Sequence, residues 1–261
     1  MLRHTFLHVP GLGHTTEQKL WSKGIHTWED VAGLIGGSPD GLDGVVRKLK
    51  PYLPKTLRAF EERDASIFDR LSRFGESWRL FGEFMNECVY VDIETTGLSR
   101  DYDDLTVVGT YDGKKFKAFV KGINLGDLAS ELKRYPVVVT FNGNCFDLPF
   151  LRKRFSASLP KAHIDLRPTT HKLGYSGGLK KIEPKFGIRR PTQIASIDGF
   201  EAVVLWRRYC KGDKAALEKL IEYNEADVTN LERIMRQCYE RLAEQHAKFF
   251  AKKQRSAAAA R

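Results

Sequence analysis

The stretch from Val89 to Leu98 constrains the fold of this chain more than any other. It reads VYVDIETTGL. Apolar and polar residues alternate in it with the period of two that a β-strand with two different faces requires, so Asp92 and Glu94 point to the same side. Residues 95–97 (TTG) end the strand at once. Both carboxylates therefore lie at the carboxyl end of a strand, where sheets of mixed α/β proteins usually bind ligands.

Two carboxylates this close to each other repel. The arrangement costs free energy unless one carboxylate is protonated or a cation lies between them. Hard divalent cations prefer oxygen ligands of this kind. Asp92 and Glu94 therefore predict a metal site, with a polar strand end that carries capping residues as the alternative.

Basic charge is concentrated in the same part of the chain as these carboxylates. The 261 residues carry a formal net charge of +10, and residues 1–88, with 12 basic and 12 acidic residues, contribute nothing to it. Residues 152–190 contain 11 basic residues and only two acidic ones, Asp165 and Glu183. A nucleic acid is the natural partner of such a segment, because each phosphate neutralised by Lys or Arg releases counterions. A solvated surface without a partner is the alternative.

Composition argues against several classes of protein. A chain of this length that is 42% hydrophobic can bury a substantial core. No apolar run approaches the roughly 18 residues of a membrane-spanning helix, and the amino terminus lacks the apolar core of a secretion signal. The four cysteines stand far apart, without zinc-ligand spacing. We therefore expect a cytoplasmic protein with reduced thiols and no membrane association.

The first thirty residues predict two helices joined by a tight glycine turn, Gly11-Leu12-Gly13. This segment resembles a helix-hairpin-helix module, in which backbone N–H groups of the turn bind a nucleic-acid phosphate without reading sequence. We assign phosphate contact to Gly11 and Gly13, with a purely structural hairpin as the alternative. Residues 44–87 are expected to be helical, and their aromatic side chains are expected to pack in a core.

The segments after the first strand predict a sheet. Two strands, 105–111 and 115–120, flank an Asp-Gly turn. A helix over 125–134 then leads to the apolar run 137–141, which suits a buried parallel strand. The order strand, strand, strand, helix, strand, helix is that of a ribonuclease-H-like sheet. We therefore expect an α/β fold in which a ribonuclease-H-like mixed sheet is flanked by helices.

This interpretation divides the chain into three segments. Residues 1–87 form a small all-α domain, residues 88–247 form the sheet domain, and residues 248–261 form a basic tail that is expected to be disordered.

Two later positions add polar groups to the first pair. Asp147 begins the helix after the fourth strand, where the helix dipole favours a carboxylate. Tyr223 and Asp227 are four residues apart in a helical segment, so they lie on one face. Taken singly, each is an ordinary helix residue. Asp165, in the segment HIDL, is expected to anchor a loop rather than to take part in the chemistry.

Taken together, these residues resemble the three exonuclease motifs of the DEDD superfamily, in its tyrosine-bearing branch. Glu222 occupies the position, five before Asp227, at which the other branch carries a histidine. The segments HIDL, GGLKKIE, DGFEAVVLW and YNEAD also resemble the YprB-like ribonuclease-H-like proteins, over roughly Trp78 to Met235. The motif residues are Asp92 with Glu94, Asp147, and Asp227 with Tyr223.

The resemblance implies a 3′–5′ exonuclease on single-stranded DNA or RNA that uses two Mg²⁺ or Mn²⁺ ions, roughly 4 Å apart. By the family's pattern, Asp92 would bridge both ions and Asp147 would hold the second one. Glu94 and Asp227 would complete the site that activates water. Tyr223 would orient that water. We further assign substrate binding to Thr95, Gly97, Leu98, Asn142, Phe146 and Lys180, besides Gly11 and Gly13. For Asn142, a role in the turn after the fourth strand is the alternative.

Two other functions fit the same residues. One is a structure-selective endonuclease that uses the same metal site and is guided by the hairpin module. The other is a non-catalytic module that binds nucleic acid and has kept the sheet of a nuclease. The presence of all four carboxylates favours an enzyme. Discrimination between DNA and RNA depends on contacts to the 2′-hydroxyl, so the prediction covers both substrates.

Overall fold

The protein is described by a computed structural model that covers residues 1–34 and 37–259, with side chains as far as residue 250. The chain forms two compact units: residues 1–85 with the chain from Tyr239 onward, and Asn86–Cys238. The predicted division after residue 87 lies close to the observed one. The segment from Tyr239 to residue 247, which was assigned to the sheet domain, belongs to the first unit. In the described part of the chain, no helix combines the length and the apolar character needed to cross a membrane.

The first unit is helical. Its residues 44–84 have the expected core role, because Phe68, Phe81 and Phe84 are fully or almost fully buried. 3₁₀ helices cover Leu2–His4, Ala65–Phe74 and Ser77–Leu80. The α-helices are α1 (His14–Ser22), α2 (Trp28–Ala32), α3 (Asp43–Leu49), α4 (Leu53–Glu61) and α5 (Phe81–Phe84).

The glycine turn near the amino terminus differs from the predicted hairpin. Only the three-residue 3₁₀ helix Leu2–His4 precedes it, where an α-helix was expected. Gly11 adopts φ +82°, a left-handed conformation that favours glycine, and α1 begins directly after Gly13. The helix-hairpin-helix prediction is thus wrong in its first helix. Phosphate contact by Gly11 and Gly13 stays a prediction.

The second unit contains the sheet. The strands and helices follow one another in the predicted order. In addition, a short fifth strand ends at Asp165, which was expected to lie in a loop. The strands are β1 (Cys88–Thr95), β2 (Leu105–Tyr111), β3 (Phe116–Val120), β4 (Val137–Thr140) and β5 (Ala162–Asp165). The α-helices are α6 (Leu128–Leu132), α7 (Asp147–Phe155), α8 (Leu166–Lys172), α9 (Leu179–Ile182), α10 (Thr192–Ala195), α11 (Gly199–Cys210) and α12 (Lys214–Ala259), which from Tyr239 onward belongs to the first unit.

Helix α12 is longer than the sequence suggests. It continues to Ala259 and so includes most of the segment that was expected to be a disordered tail. Residues 260 and 261 lie outside the described residues.

The five strands form one mixed sheet in the order β3-β2-β1-β4-β5. β1 is the central strand. It pairs antiparallel with β2 and parallel with β4, and β4 pairs parallel with β5. β1, β4 and β5 therefore end at the same edge of the sheet, which brings the residues that follow them close together.

The sheet has an apolar core on each face. On one face, Val89, Val91 and Ile93 of β1 pack in a cluster with residues of α6 and α7. On the other face, residues of β2 and β3 pack against α11 and α12 in a cluster that includes Leu205, Leu220 and Tyr223. Asp92 and Glu94 alternate with Val91 and Ile93 and therefore point toward this second face. The alternation in the sequence predicted this orientation.

A glycine in β2 allows α12 to approach the sheet closely. A Cβ atom at Gly109 would lie 2.0 Å from Oδ1 of Asn224 and 2.9 Å from Cγ2 of Val228, both on α12. Real Cβ atoms essentially never make contacts this short. Glycine inside a strand commonly marks such an approach. Gly109 is paired with Asp92 in the sheet, so the approach takes place beside the candidate metal ligands.

We predict that Gly109→Ala lowers the free energy of unfolding by about 1–3 kcal/mol, because the added methyl group overpacks a buried contact. Urea denaturation followed by circular dichroism measures the change. Gly126→Ala is the matched control: apart from its own neighbours along the chain, no atom of the described residues lies within 4 Å of a Cβ placed there, so the effect should stay within about 0.5 kcal/mol. Equal effects of the two substitutions would contradict the close approach.

Candidate active site

Three carboxylates from two distant parts of the chain meet at the end of β1. Asp92 and Glu94 come from the strand and Asp227 comes from α12. One carboxylate oxygen from each lies within 4.8 Å of the other two. Asp92 is partly exposed, whereas Glu94 and Asp227 are buried. The alternation in β1 and the helical position of Asp227 together produce this group.

The three carboxylates line a cavity of about 680 Å³, which we call the acidic cavity. Asp147, at the start of α7, lines it too, and so does Tyr223, one turn before Asp227 on α12. Lys180 lies in an adjoining depression that shares Asp92 with the acidic cavity. The other predicted substrate-binding residues of this unit that line the acidic cavity are Thr95, Gly97, Leu98, Asn142 and Phe146.

The loop between β4 and α7 is held by Asp165. The side chain of Asp165 accepts hydrogen bonds from the backbone N–H groups of Asn142 at 2.8 Å, Asn144 at 3.2 Å and Arg167 at 3.0 Å. Asn142 has φ +65°, a strained conformation for a residue other than glycine that these bonds help to hold. The predicted role of Asp165 as a loop anchor is confirmed. Through this loop, the end of β5 fixes the positions of Asn142 and Asp147.

Asn224 was not identified from the sequence. Its Nδ2 donates a hydrogen bond to Oδ2 of Asp92 at 2.9 Å and a longer one to the backbone oxygen of Asp92 at 3.3 Å. A further bond from Asn224 lowers the pKa of Glu94. Asn224 is fully buried. Two features of the sequence could have pointed to Asn224. It stands three residues before Asp227, so the two lie on the same face of α12. Gly109, a glycine in the middle of β2, indicates that another element approaches the strand closely there.

Arg190 and Glu183 form a second polar network that sequence reasoning missed. The Arg190 guanidinium donates to both oxygens of Glu183, at 2.6 and 2.7 Å, and to Asp227. Nδ2 of Asn230 donates to Glu183 at 2.8 Å. All of these side chains are largely buried. Arg190 was counted only as part of a basic segment, because nothing in the sequence shows which of 11 basic residues turns inward.

Burial, followed by the charges of neighbouring carboxylates, raises the pKa values of all four carboxyls. For Asp92, burial has the largest effect, followed by the charges of Asp227, Glu94 and Asp147. Burial and then the charge of Asp227 raise the pKa of Glu94. Burial raises the pKa of Asp147 to about 7. Burial also raises the pKa of Asp227 to about 6, against the opposing effect of the Arg190 guanidinium. Without further cations, this site therefore holds protons near neutral pH.

Tyr223 is placed to donate a hydrogen bond and not to lose its proton. Its pKa is raised above the ordinary value, first by burial and then by the charges of Asp227, Glu94 and Asp92. Its hydroxyl donates to Asp227. Nζ of Lys180 lies 5.1 Å from the centre of the Tyr223 ring, and the Arg190 guanidinium carbon lies 5.4 Å from it.

The donor set fits a hard divalent cation. Three carboxylate oxygens within 4.8 Å can converge on one ion, and oxygen ligands of this type are those that Mg²⁺, Mn²⁺ and Ca²⁺ accept. A bound cation would relieve the repulsion that raises the four pKa values. Asp147 lies outside the group of three, although its charge raises the pKa of Asp92.

Residues from α11 complete the acidic cavity, and the sequence had not marked them. Asp198 caps this helix, since its side chain accepts from the backbone N–H of Glu201. Phe200 lines the cavity and is 74% exposed, and Arg207 lines it two turns later. Phe200 could not be identified from the sequence, because its segment has the pattern of an ordinary amphipathic helix and the sequence does not show which apolar residues are exposed.

A family model described as the RNase H superfamily matches residues 89–239, which is more than half of the chain. The matched region begins with β1 and extends through Tyr223 and Asp227 on α12. A comparison with curated proteins gives no match.

Three of the solved structures to which this chain is similar are the following. The first is the family B DNA polymerase from the hyperthermophilic archaeon Pyrobaculum calidifontis, at 17% identity and a TM-score of 0.48; the match covers 57% of this chain and 24% of the polymerase. The second is Brucella melitensis NrnC with bound Mg²⁺, at 22% identity and a TM-score of 0.45, covering 67% and 83%. The third is Escherichia coli RNase D, an exoribonuclease involved in structured RNA processing, at 18% identity and a TM-score of 0.45, covering 71% and 48%. This chain thus spans about a quarter of the polymerase and about half of RNase D.

We predict that Asp147→Asn stabilises the metal-free protein increasingly as the pH rises from about 4 to 7. The folded protein holds the Asp147 proton up to a pKa of about 7, whereas the unfolded chain releases it near the ordinary aspartate pKa of 3.8. The contribution of this carboxyl to stability is therefore full below pH 4 and lost above pH 7. The amide carries no charge at any pH, so the variant should gain on the order of 1–3 kcal/mol relative to the wild type across this window.

Urea unfolding in a chelator, at pH 4 and pH 8, measures this difference. Asp101→Asn is the control, since the Asp101 side chain is 75% exposed; it should change the free energy of unfolding little at either pH. A gain for Asp147→Asn that is the same at both pH values would contradict the raised pKa.

Proposed function

Because this chain belongs to the ribonuclease H superfamily, we propose that it is a metal-dependent nuclease that removes nucleotides from the 3′ end of single-stranded DNA or RNA. One observation carries the proposal: carboxylates of β1 and α12 converge within 4.8 Å in a cavity that Asp147 and Tyr223 also line. The direction of cleavage comes from the resemblance to the tyrosine-bearing DEDD exonucleases.

Asp92, Glu94 and Asp227 would hold one divalent ion, and Asp147 with Asp92 would hold a second. Bound ions of this kind supply the positive charge that activates water and stabilises the leaving oxygen in phosphodiester hydrolysis. The protein supplies the geometry. Asn224 fixes the orientation of the Asp92 carboxylate through its 2.9 Å hydrogen bond, and Arg190 fixes that of Asp227. Ligands held this firmly need little rearrangement to bind a cation.

Tyr223 positions the attacking water rather than deprotonating it. A phenol has an unperturbed pKa near 10, and burial raises that of Tyr223 further. The hydroxyl therefore stays protonated at neutral pH and acts through hydrogen bonds. Lys180, beside the ring, offers a positive charge to a substrate phosphate.

A nucleic acid is the substrate class that the charge distribution favours. The part of the chain from residue 89 onward carries the whole net charge of +10. The two acidic residues of the basic segment 152–190 are both buried: Asp165 is bonded to backbone N–H groups, and Glu183 is bonded to Arg190. Two buried carboxylates cannot balance 11 basic residues, so an excess of positive charge is available to a polyanion.

We predict that Asp92→Ala abolishes metal-dependent hydrolysis and leaves the protein folded, because the substitution removes repulsion along with a ligand. DNA and RNA strands labelled at the 5′ end are incubated with Mn²⁺, and the products are read as ladders on a gel. Isothermal titration should show that Mn²⁺ uptake is lost as well. Glu222→Ala, at an exposed neighbour of Tyr223 that does not line the acidic cavity, is the control and should keep both activity and uptake.

Undiminished activity of Asp92→Ala in a clean preparation would refute the assignment. No Mn²⁺ uptake by the wild type would instead favour the non-catalytic binding module. Cleavage of closed circles as fast as of linear strands would favour the endonuclease.

We predict that Tyr223→Phe lowers the rate of hydrolysis by roughly one to three orders of magnitude, a smaller loss than for Asp92→Ala. The phenylalanine keeps the ring that packs in the core and loses only the hydroxyl. The rate on a 5′-labelled strand at saturating Mn²⁺ measures the effect. A rate as low as that of Asp92→Ala would mean that Tyr223 does more than orient water.

A further inference from the structure

A second cavity adjoins the acidic cavity on the side of β5. It has a volume of about 640 Å³, and we call it the Arg167 cavity. α8 contributes Arg167, His171 and Lys172 to it, and the turn after α8 contributes Tyr175. Cys145, from the loop between β4 and α7, lies exposed on its wall. The function proposed above uses none of these five residues.

The charge of the Arg167 cavity is positive. Arg167 and His171 are one turn apart on α8 and lie on one face. All three basic side chains of α8 belong to exposed residues. Among the described residues that line this cavity, the only carboxylate is Asp165, which is 4% exposed and accepts three backbone hydrogen bonds. The Asp165 carboxylate is turned toward the backbone, and its single negative charge is outnumbered by the positive charges of Arg167 and Lys172.

Asn142 connects the two cavities. It lines both of them, and its Oδ1 accepts a hydrogen bond from the Arg167 guanidinium at 2.8 Å. Its backbone is fixed by Asp165. A strand that leaves the acidic cavity past Asn142 therefore meets a guanidinium held in a defined place, and a guanidinium is well suited to bind phosphate.

Tyr175 adds an aromatic ring to this basic surface. Its ring centre lies 5.3 Å from that of Phe186, with the planes at 67°, so one edge is supported. Gly174 and Gly177, on either side, have φ values of +82° and +123°, which glycine adopts without strain, and so they allow the turn that carries the ring. Basic side chains beside an aromatic ring are the combination that binds single strands without reading sequence, through phosphate contacts and base stacking.

We propose that the Arg167 cavity binds the part of a single-stranded polynucleotide that remains outside the acidic cavity, with Arg167 and Lys172 at its phosphates and Tyr175 against a base. The inference rests on the proposed nuclease function, and it deepens that function by making the substrate an oligonucleotide several residues long. A protein with this extended site binds an octanucleotide more tightly than a dinucleotide.

Two exposed cysteines make a directional test possible. Cys145 lines the Arg167 cavity, and Cys210 lines a different cavity that adjoins the acidic cavity, beside Arg207 and Lys211. The two remaining cysteines are buried. The Asp92→Ala variant, which leaves the strand intact, is alkylated with iodoacetamide in the presence of octathymidylate or dithymidylate. Mass spectrometry of the peptides gives the alkylation rate at each cysteine.

Octathymidylate should slow the alkylation of Cys145 several-fold and leave that of Cys210 unchanged, and dithymidylate should slow neither. Protection of Cys210 with none of Cys145 would show that the strand leaves by the other cavity and would overturn the proposal. Equal protection of Cys145 by the two oligonucleotides would overturn it as well.

A pair of charge-matched double variants tests the phosphate contacts. Arg167→Gln with Lys172→Gln removes two charges from the cavity. Lys161→Gln with Lys185→Gln removes two charges from exposed positions of the same basic segment that do not line it. Fluorescence anisotropy of labelled octathymidylate and dithymidylate is measured over a range of salt concentrations in the Asp92→Ala background.

The cavity variant should lose about tenfold in affinity for octathymidylate, and its slope of log K against log salt should become about 1.4 less negative, at roughly 0.7 per phosphate contact. The ratio of the octamer affinity to the dimer affinity should fall with it. The control variant should keep both the ratio and the slope. Equal losses of affinity for octathymidylate in the two variants would show that only the total charge matters and not its location in the Arg167 cavity. That result would refute the proposal.

Failure of this proposal can be told apart from failure of the proposed function. Hydrolysis by the wild type without protection of Cys145 would refute the extended site and leave the nuclease standing. Protection of Cys145 without hydrolysis would support the site and refute the nuclease. Absence of both would refute both.

Discussion

The repulsion among four carboxyl groups, three of them buried and one partly exposed, is the interaction on which the rest of this structure depends. Asp92, Glu94, Asp147 and Asp227 line one cavity. Burial first, and then neighbouring negative charges, raise all four pKa values. Folding alone would not favour such a group, since charges buried without compensation are costly. The surrounding polar network offsets part of this cost. Arg190 pairs with Asp227, and Asn224 donates to Asp92. The repulsion that remains is relieved when a cation binds, and it therefore favours cation binding at this site.

The fold assembles this group from segments that are far apart in the sequence. β1 lies in the middle of the sheet, so its end is flanked by the loop after β4 on one side and by α12 across one face. Each of these segments contributes one part of the site. Asp165 shows how the assembly is made firm: it ends β5, caps α8 and holds the loop that carries Asn142. One carboxylate thus positions both the acidic cavity and the basic surface beside it.

Sequence reasoning recovered the parts of this site that local periodicity encodes. The alternation of β1 fixes the side to which Asp92 and Glu94 point, and helical spacing places Tyr223 beside Asp227. Both are short-range properties, and both predictions about geometry agree with the structure. The first three strands and the order of the helices were readable from similarly local patterns, and β4 was readable as an uninterrupted apolar run. β5 was missed because its four residues, AHID, include two polar ones and form neither an apolar run nor a clear alternation.

Asn224, Arg190 and Glu183 were missed for a different reason. Their roles depend on contacts between segments, and an asparagine or arginine on a helix or in a basic run has no local mark of being turned inward. The helix predicted before Gly11 failed because apolar residues at the amino terminus suit a buried 3₁₀ turn as well as a helix. A local periodic pattern in the sequence predicts the orientation of side chains within one element. Contacts between distant segments leave no such pattern and become visible only in the folded structure.

The contact between Gly109 and Asn224 has a consequence for how this chain can vary. The strand position has room for a hydrogen atom only, because the amide that steadies Asp92 occupies the space in which a side chain would begin. Replacing either residue alone therefore produces either a collision or a void beside the ligands. Positions 109 and 224 can therefore change only together. A related chain with a side chain at position 109 should have a residue smaller than asparagine at position 224. It should then hold the aspartate at position 92 through a different hydrogen-bond donor.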